Sequence, residues 1–143
     1  MPAAHLEERG ITVGIRDILN KEIILFDGAM GTMLQQNGLK LGQNPEILNF
    51  TSEDIIKNIY RDYIEAGSKV ITLNTFGANE LKLDGTGYSV EDVFKKAMEI
   101  AKEVKGKDIF VAADIGPIGQ LLEPMGTLSF DRAYEIFKRQ VIA

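Results

Sequence analysis

A parallel α/β fold is what this sequence predicts, and three observations carry that reading. Short apolar runs recur at Ile24–Phe26, Val70–Leu73 and Ile109–Ala113. Each runs into a turn rich in glycine and oxygen-bearing residues: Asp27-Gly28-Ala29-Met30-Gly31-Thr32, Asn74-Thr75-Phe76-Gly77, and Asp114-Ile115-Gly116-Pro117-Ile118-Gly119. Stretches with helical periodicity separate them, giving the order β-α-β-α-β-α, which implies a parallel sheet joined by right-handed crossovers. Ligands of such sheets bind at the carboxyl ends of the strands. Three such turns in register therefore predict one shared site.

Taken in order, Gly14 to Leu19 reads as a short helix, preceded by a polar amino-terminal extension. Ile23 to Phe26 forms an unbroken apolar run of the kind that is buried on both faces of a parallel sheet. A longer polar connection follows, through Gln35-Gln36-Asn37-Gly38 and Asn44-Pro45. Thr51 and Asp54 have the spacing of a capping box. Ile55, Ile56, Ile59, Tyr60, Tyr63 and Ile64 then recur at helical spacing, and Gly67 supplies the stop. The second strand is Val70 to Leu73. Asn79 to Leu83 reads as a helical turn, ended by Asp84-Gly85-Thr86-Gly87. Ser89 and Asp92 form a second capping pair, ahead of a stripe of Val90, Val93, Phe94, Ala97, Ile100, Ala101 and Val104. The third strand is Ile109 to Ala113. Ser129 opens a last helix, whose apolar stripe Phe130, Ala133, Tyr134, Phe137 and Val141 is expected to face the core. That pattern reaches the chain end without a stop signal.

Two architectures fit this order: an open doubly wound sheet, or the first three βα units of a (β/α)₈ TIM barrel. The unfinished last helix favours the barrel. Residues 1–143 then form a single partial domain, with 1–20 as its extension and short helix.

Composition narrows the function. The 143 residues carry a net charge of −5, with 45% hydrophobic and 26% charged residues, as in soluble globular proteins. The negative balance argues against a nucleic-acid or anionic-membrane partner. No apolar run approaches membrane-spanning length, and Glu7, Glu8 and Arg9 stand where a signal peptide needs apolar residues, so a cytoplasmic location is expected. Cysteine is absent and the single histidine is His5. Disulfides, Cys-His nucleophiles and ordinary zinc sites are thereby excluded. No catalytic residue and no metal ligand is assigned within the chain.

The binding candidates are carboxylates, amides, hydroxyls and backbone groups. Asp27 is suited to a substrate amine and the backbone around Gly28 to a carboxylate, since glycine admits close approach. Asp27 equally suits a turn cap. Asn74 and Thr75 place an amide and a hydroxyl at the second strand exit, where a plain turn is the competing reading. The loop containing Asp114 and Gly116 lacks both the lysine of a phosphate-binding P-loop and the G-x-G-x-x-G spacing, which argues against nucleotide binding.

The run Leu25 to Gln35 resembles the opening strand and loop of the homocysteine S-methyltransferase family, closest to the homocysteine-binding module of its cobalamin-dependent members. Pro45-Glu46-Ile47-Leu48-Asn49, Tyr63-Ile64-Glu65-Ala66-Gly67, Asn74-Thr75-Phe76-Gly77-Ala78-Asn79 and Asp114-Ile115-Gly116-Pro117 fall in the family's order and spacing. The resemblance implies a (β/α)₈ barrel that binds homocysteine. In the family, a zinc ion held by three cysteines late in the barrel activates the substrate thiolate. Cobalamin and methyltetrahydrofolate are handled by other domains. It further implies that Asp27 and Gly28 hold the amino and carboxylate ends of homocysteine, with Asn74, Thr75, Asp114 and Gly116 lining the same mouth. The zinc cysteines have no counterpart here. This matches the first three-eighths of the barrel, inactive alone and prone to self-association through unpaired sheet edges. Two other readings stay open: a non-catalytic binding or assembly subunit, and a small open-sheet protein that binds a phosphate ligand.

Overall fold

A computed structural model describes residues 14–143 except Asn20; His5 and most of the amino-terminal extension lie outside the described residues. Helix α1 (Ile15–Ile18) is short, as expected. Strands β1 (Val70–Thr72) and β2 (Phe110–Ala112) pair in parallel, with Val70 opposite Phe110 and Thr72 opposite Ala112. The first apolar run departs from expectation. It makes one parallel bridge, Phe26 to Val70, and no regular strand. Leu25 O accepts from Lys69 N and Val70 N, and Asp27 N donates to Val70 O. Ile23, Leu25 and Phe26 are exposed instead of buried on both faces. The physical reason is that, among the described residues, only β1 pairs with this run, which leaves its other edge unpaired and Ile23, Leu25 and Phe26 uncovered.

The connection after it is more ordered than its polarity implied. Helix α2 (Met30–Gln36) begins inside the glycine motif, so Gly31 and Thr32 are helical. A 3₁₀ turn (Pro45–Ile47) leads into helix α3 (Leu48–Thr51). Helix α4 (Glu53–Glu65) follows, without the expected capping box. Thr51 closes α3 and turns its hydroxyl back to Ile47 O at 3.2 Å, leaving Ser52 as an N-cap without a side-chain bond. At the other end Gly67 (φ 105°) permits the Schellman closure, in which Ser68 N donates to Tyr63 O and Gly67 N to Ile64 O.

Residues 79–83 form hydrogen-bonded turns, with Asn79 Oδ1 accepting from Leu81 N and Lys82 N. Helix α5 (Val90–Val104) carries the expected reciprocal Ser89–Asp92 cap and buries the expected stripe up to Ala101. The principal core joins Leu34, Ile56, Ile59 and Tyr60 to Ile71 and Leu73, and to Ala97, Ile100 and Ala101 of α5. It fills the space between the sheet and the α4–α5 layer.

Helix α6 (Phe130–Ile142) starts at Ser129, whose hydroxyl accepts from Arg132 N. Its buried side is Ala133, Ile136 and Gln140, with Ala133 and Ile136 packed beside Ile118, Leu128 and Leu81. Of the expected stripe only Ala133 is buried; Phe130, Tyr134, Phe137 and Val141 are exposed. Pairing of Arg132 and Arg139 with Glu80, and of Arg139 with Glu91, ties α6 to the chain along its polar side. Among the described residues this orientation leaves Phe130, Tyr134 and Phe137 exposed.

Candidate functional site

The expected site residues do converge at the strand exits, but they divide into two groups. Asp27 stands at the end of the bridged run, half-buried. Its Oδ2 accepts from Thr72 N at 2.7 Å and its Oδ1 from Thr72 Oγ1 at 2.7 Å. The carboxylate therefore ties the first strand end to β1. Gly28 is exposed on the following turn, and a Cβ there would lie 2.8 Å from the Tyr63 hydroxyl. The α4 tyrosine thus rests directly on the backbone that would meet a ligand.

Asn74 and Thr75 are buried. The Asn74 amide donates to Pro45 O at 2.8 Å and to Asn49 Oδ1 at 3.1 Å, while Asn49 Nδ2 donates back to Asn74 O at 2.9 Å. The Tyr60 hydroxyl accepts from Asn74 N at 3.1 Å, and burial pushes that phenol up from its ordinary pKa. Thr75 Oγ1 donates to Asp114 O at 2.8 Å and accepts from Asp114 N at 3.1 Å. Gly116 N donates to Phe76 O at 2.9 Å, and a Cβ at Gly116 would stand 2.5 Å from that oxygen. In this structure the side chains of Asn74 and Thr75 bond protein groups, and they fasten the second and third loops together.

Asp114 is half-buried. Desolvation, and then the neighbouring charge of Asp27, raise its carboxyl pKa. Asp27 and Asp114 stand close enough for their charges to interact, and Phe76 and Ile115 in the second and third loops are exposed; neighbouring carboxylates and apolar side chains at the strand exits would suit a ligand with an ammonium and an apolar part.

Sequence reasoning missed Thr72, Glu46 and Asn49. Glu46 is 2% exposed, and its Oε1 accepts from Gly77 N at 2.5 Å. Burial raises its pKa above the ordinary carboxylate value, against the opposing pull of that bond and of the Lys82 charge. One signal was available. Glu46 and Asn49 stand three apart in an otherwise apolar segment, on one helical face. Their partners lie 31 and 25 residues away, which no local pattern reveals.

A sequence profile of the family described as homocysteine S-methyltransferase matches residues 24–143. The chain belongs to the homocysteine S-methyltransferase family. Curated relatives include a methionine synthase of Mycobacterium tuberculosis (strain ATCC 25618 / H37Rv), 38% identical over 97 residues, covering 62% of this chain and 8% of that protein. A methionine synthase of Mycobacterium leprae (strain TN) is 36% identical over the same length, with the same coverage. The chain thus spans less than a tenth of these relatives. Among solved structures, the homocysteine methyltransferase MmuM from Escherichia coli in its metallated form has a TM-score of 0.63 at 23% identity, covering 73% of this chain and 42% of that one. Its oxidised form gives 0.64. These likenesses establish the fold: an α/β arrangement with a small parallel sheet, like that of a homocysteine methyltransferase. Among the described residues no helix is long and apolar enough to cross a membrane.

Proposed function

We propose that this chain is the amino-terminal portion of a (β/α)₈ homocysteine-binding barrel of methionine synthase type, and that it supplies one wall of the homocysteine site. The observation that carries the reading is the gathering of Asp27, Gly28 and Asp114 at the exits of parallel strands in a chain of this family. Asp27 faces the substrate ammonium, and Asp114 adds negative potential beside it. The Gly28 backbone receives the substrate carboxylate. Asn74, Thr75 and Gly116 act one step back by holding the loops at fixed spacing.

The zinc that the family implies does not fit the residues present. The chain has no cysteine and one histidine, and among the described residues no group of three His, Cys, Asp or Glu side chains is placed to hold a metal. Thiolate formation and methyl transfer from cobalamin therefore belong to other parts of the full-length protein. This chain's share is to bind and orient the amino-acid end of homocysteine.

The test compares the full-length protein with this chain. The full-length protein should methylate homocysteine and carry zinc by elemental analysis. The chain alone should do neither. Turnover by the chain alone, or one tightly held zinc per chain, would overturn the reading.

A further inference from the structure

A buried acid outside the strand-exit mouth grips the loops that form it. The segment Asn44–Asn49 holds the second loop, and the turns that follow it, at several points. Asn44 Nδ2 donates to Lys82 O at 3.2 Å, and Pro45 O and Asn49 bind Asn74. Glu46 Oε1 accepts from Gly77 N at 2.5 Å. The last contact is the closest: a Cβ at Gly77 would lie 2.8 Å from Glu46 Oε1 and 3.0 Å from Oε2. Only a glycine lets the carboxylate sit flat against that backbone.

Gly77 follows Phe76, whose carbonyl accepts from Gly116 N in the third loop. A displaced Gly77 would move the Phe76 peptide, and with it the anchor of the third loop. Burial of Glu46 restricts water from replacing the carboxylate if it is removed, so the Gly77 N–H would be left unpaired.

We infer that Glu46 is a positioning residue: through Gly77 and Phe76 it sets the spacing of the second and third strand-exit loops, and so the affinity of the mouth for its amino-acid ligand. The ligand part rests on the function proposed above; the loop-coupling part stands on the hydrogen bonds alone.

The experiment measures amide hydrogen exchange at Gly77 and Gly116, together with homocysteine affinity by calorimetry, in the full-length protein. Wild type, Glu46→Gln and Glu46→Ala are compared. Glutamine keeps an acceptor oxygen in place and should leave exchange and affinity within about threefold of wild type. Alanine should speed exchange at both glycines and weaken homocysteine binding by about tenfold or more, the scale of a lost hydrogen bond to a charged group. Glu46→Asp, which withdraws the carboxylate by one methylene, replaces alanine if that variant does not fold. Faster exchange at Gly77 with unchanged Gly116 and unchanged affinity would overturn the inference and reduce Glu46 to a local tie. If the wild-type protein binds no homocysteine, the proposed function fails. The Gly116 exchange then decides alone, deprotection by alanine with rescue by glutamine supporting the coupling and unchanged exchange refuting it.

Discussion

Replacing Asp27 tests the strand tie and the proposed ligand contact separately. The carboxylate accepts two hydrogen bonds from Thr72, each 2.7 Å long. A buried bond of this charge-assisted kind contributes about 1.5–3 kcal/mol. Asp27 is half-buried, so water can reach part of what alanine vacates, and each bond is discounted by about half. Asp27→Ala should therefore destabilise the fold by about 1.5–3 kcal/mol, or roughly 6–12 °C in melting temperature for a chain of this size. Asparagine behaves differently. Its Oδ1 can accept from Thr72 N while its Nδ2 donates to Thr72 Oγ1, because a hydroxyl can exchange donor for acceptor. The cost to stability should stay below about 1 kcal/mol. On the function proposed above both variants lose the charge that would face the substrate ammonium, so both should bind homocysteine more weakly by about 1.5–3 kcal/mol, roughly 10- to 150-fold. Thermal melting and calorimetric titration in the full-length protein read the two effects separately, with zinc content as a control that should not change. If the asparagine variant binds homocysteine within twofold of wild type, the charge meets no ammonium and Asp27 is only a strand tie.

Three further outcomes are expected. Gly116→Ala forces a methyl within 2.5 Å of Phe76 O and should cost about 1–3 kcal/mol by overpacking; an unchanged melting curve would show that the third loop relaxes freely. Acid should act on two kinds of carboxyl with opposite sign. Glu53, held down to about 2 by Lys57 and Lys96, and Glu91, held to about 2 by Arg139, contribute stability that is present above pH 4.5 and lost as pH falls toward 2. Glu46, raised by burial, contributes stability that is complete below its unfolded pKa of 4.5 and lost as pH rises through its folded value. Glu46→Gln should accordingly be at least as stable as wild type at pH 7, with the advantage shrinking as pH falls through the folded value of Glu46 and gone below pH 4.5; urea titrations across pH would show the reverse if the carboxyl were not desolvated. The isolated chain, with Phe26, Phe130, Tyr134 and Val141 uncovered, should self-associate or melt at low temperature. A monomer by light scattering that melts cooperatively above about 60 °C, the upper mesophile range, would instead favour a sheet that closes on its own.

Most helix ends were legible in local chemistry, the Thr51–Asp54 pair excepted. The Ser89–Asp92 box, the Gly67 stop and the α5 stripe are each written in residues close together in sequence, and all three formed. The α6 stripe misled because periodicity identifies an apolar face without saying what covers it, and long-range ion pairs to Glu80 and Glu91 orient the helix otherwise. The first strand misled for a related reason. Its apolar run records a buried environment that a single neighbouring strand does not provide. At the site, residue types and strand-exit positions were readable, but the division of labour was not. Whether Asn74 faces a ligand or Asn49 depends on a partner 25 residues distant.

The Asp27–Thr72 tie has a consequence for how the protein is made. Its two ends are separated by 45 residues, and the ribosome adds about 5–20 residues per second. Asp27 must therefore leave the ribosome roughly 2–9 s before the strand that orients it exists. During that interval the carboxylate and the apolar run Ile23–Phe26 are both without partners. The first component of the mouth to be synthesised thus waits for the second strand before it is held in place, and Asp114 and Gly116 join it later still.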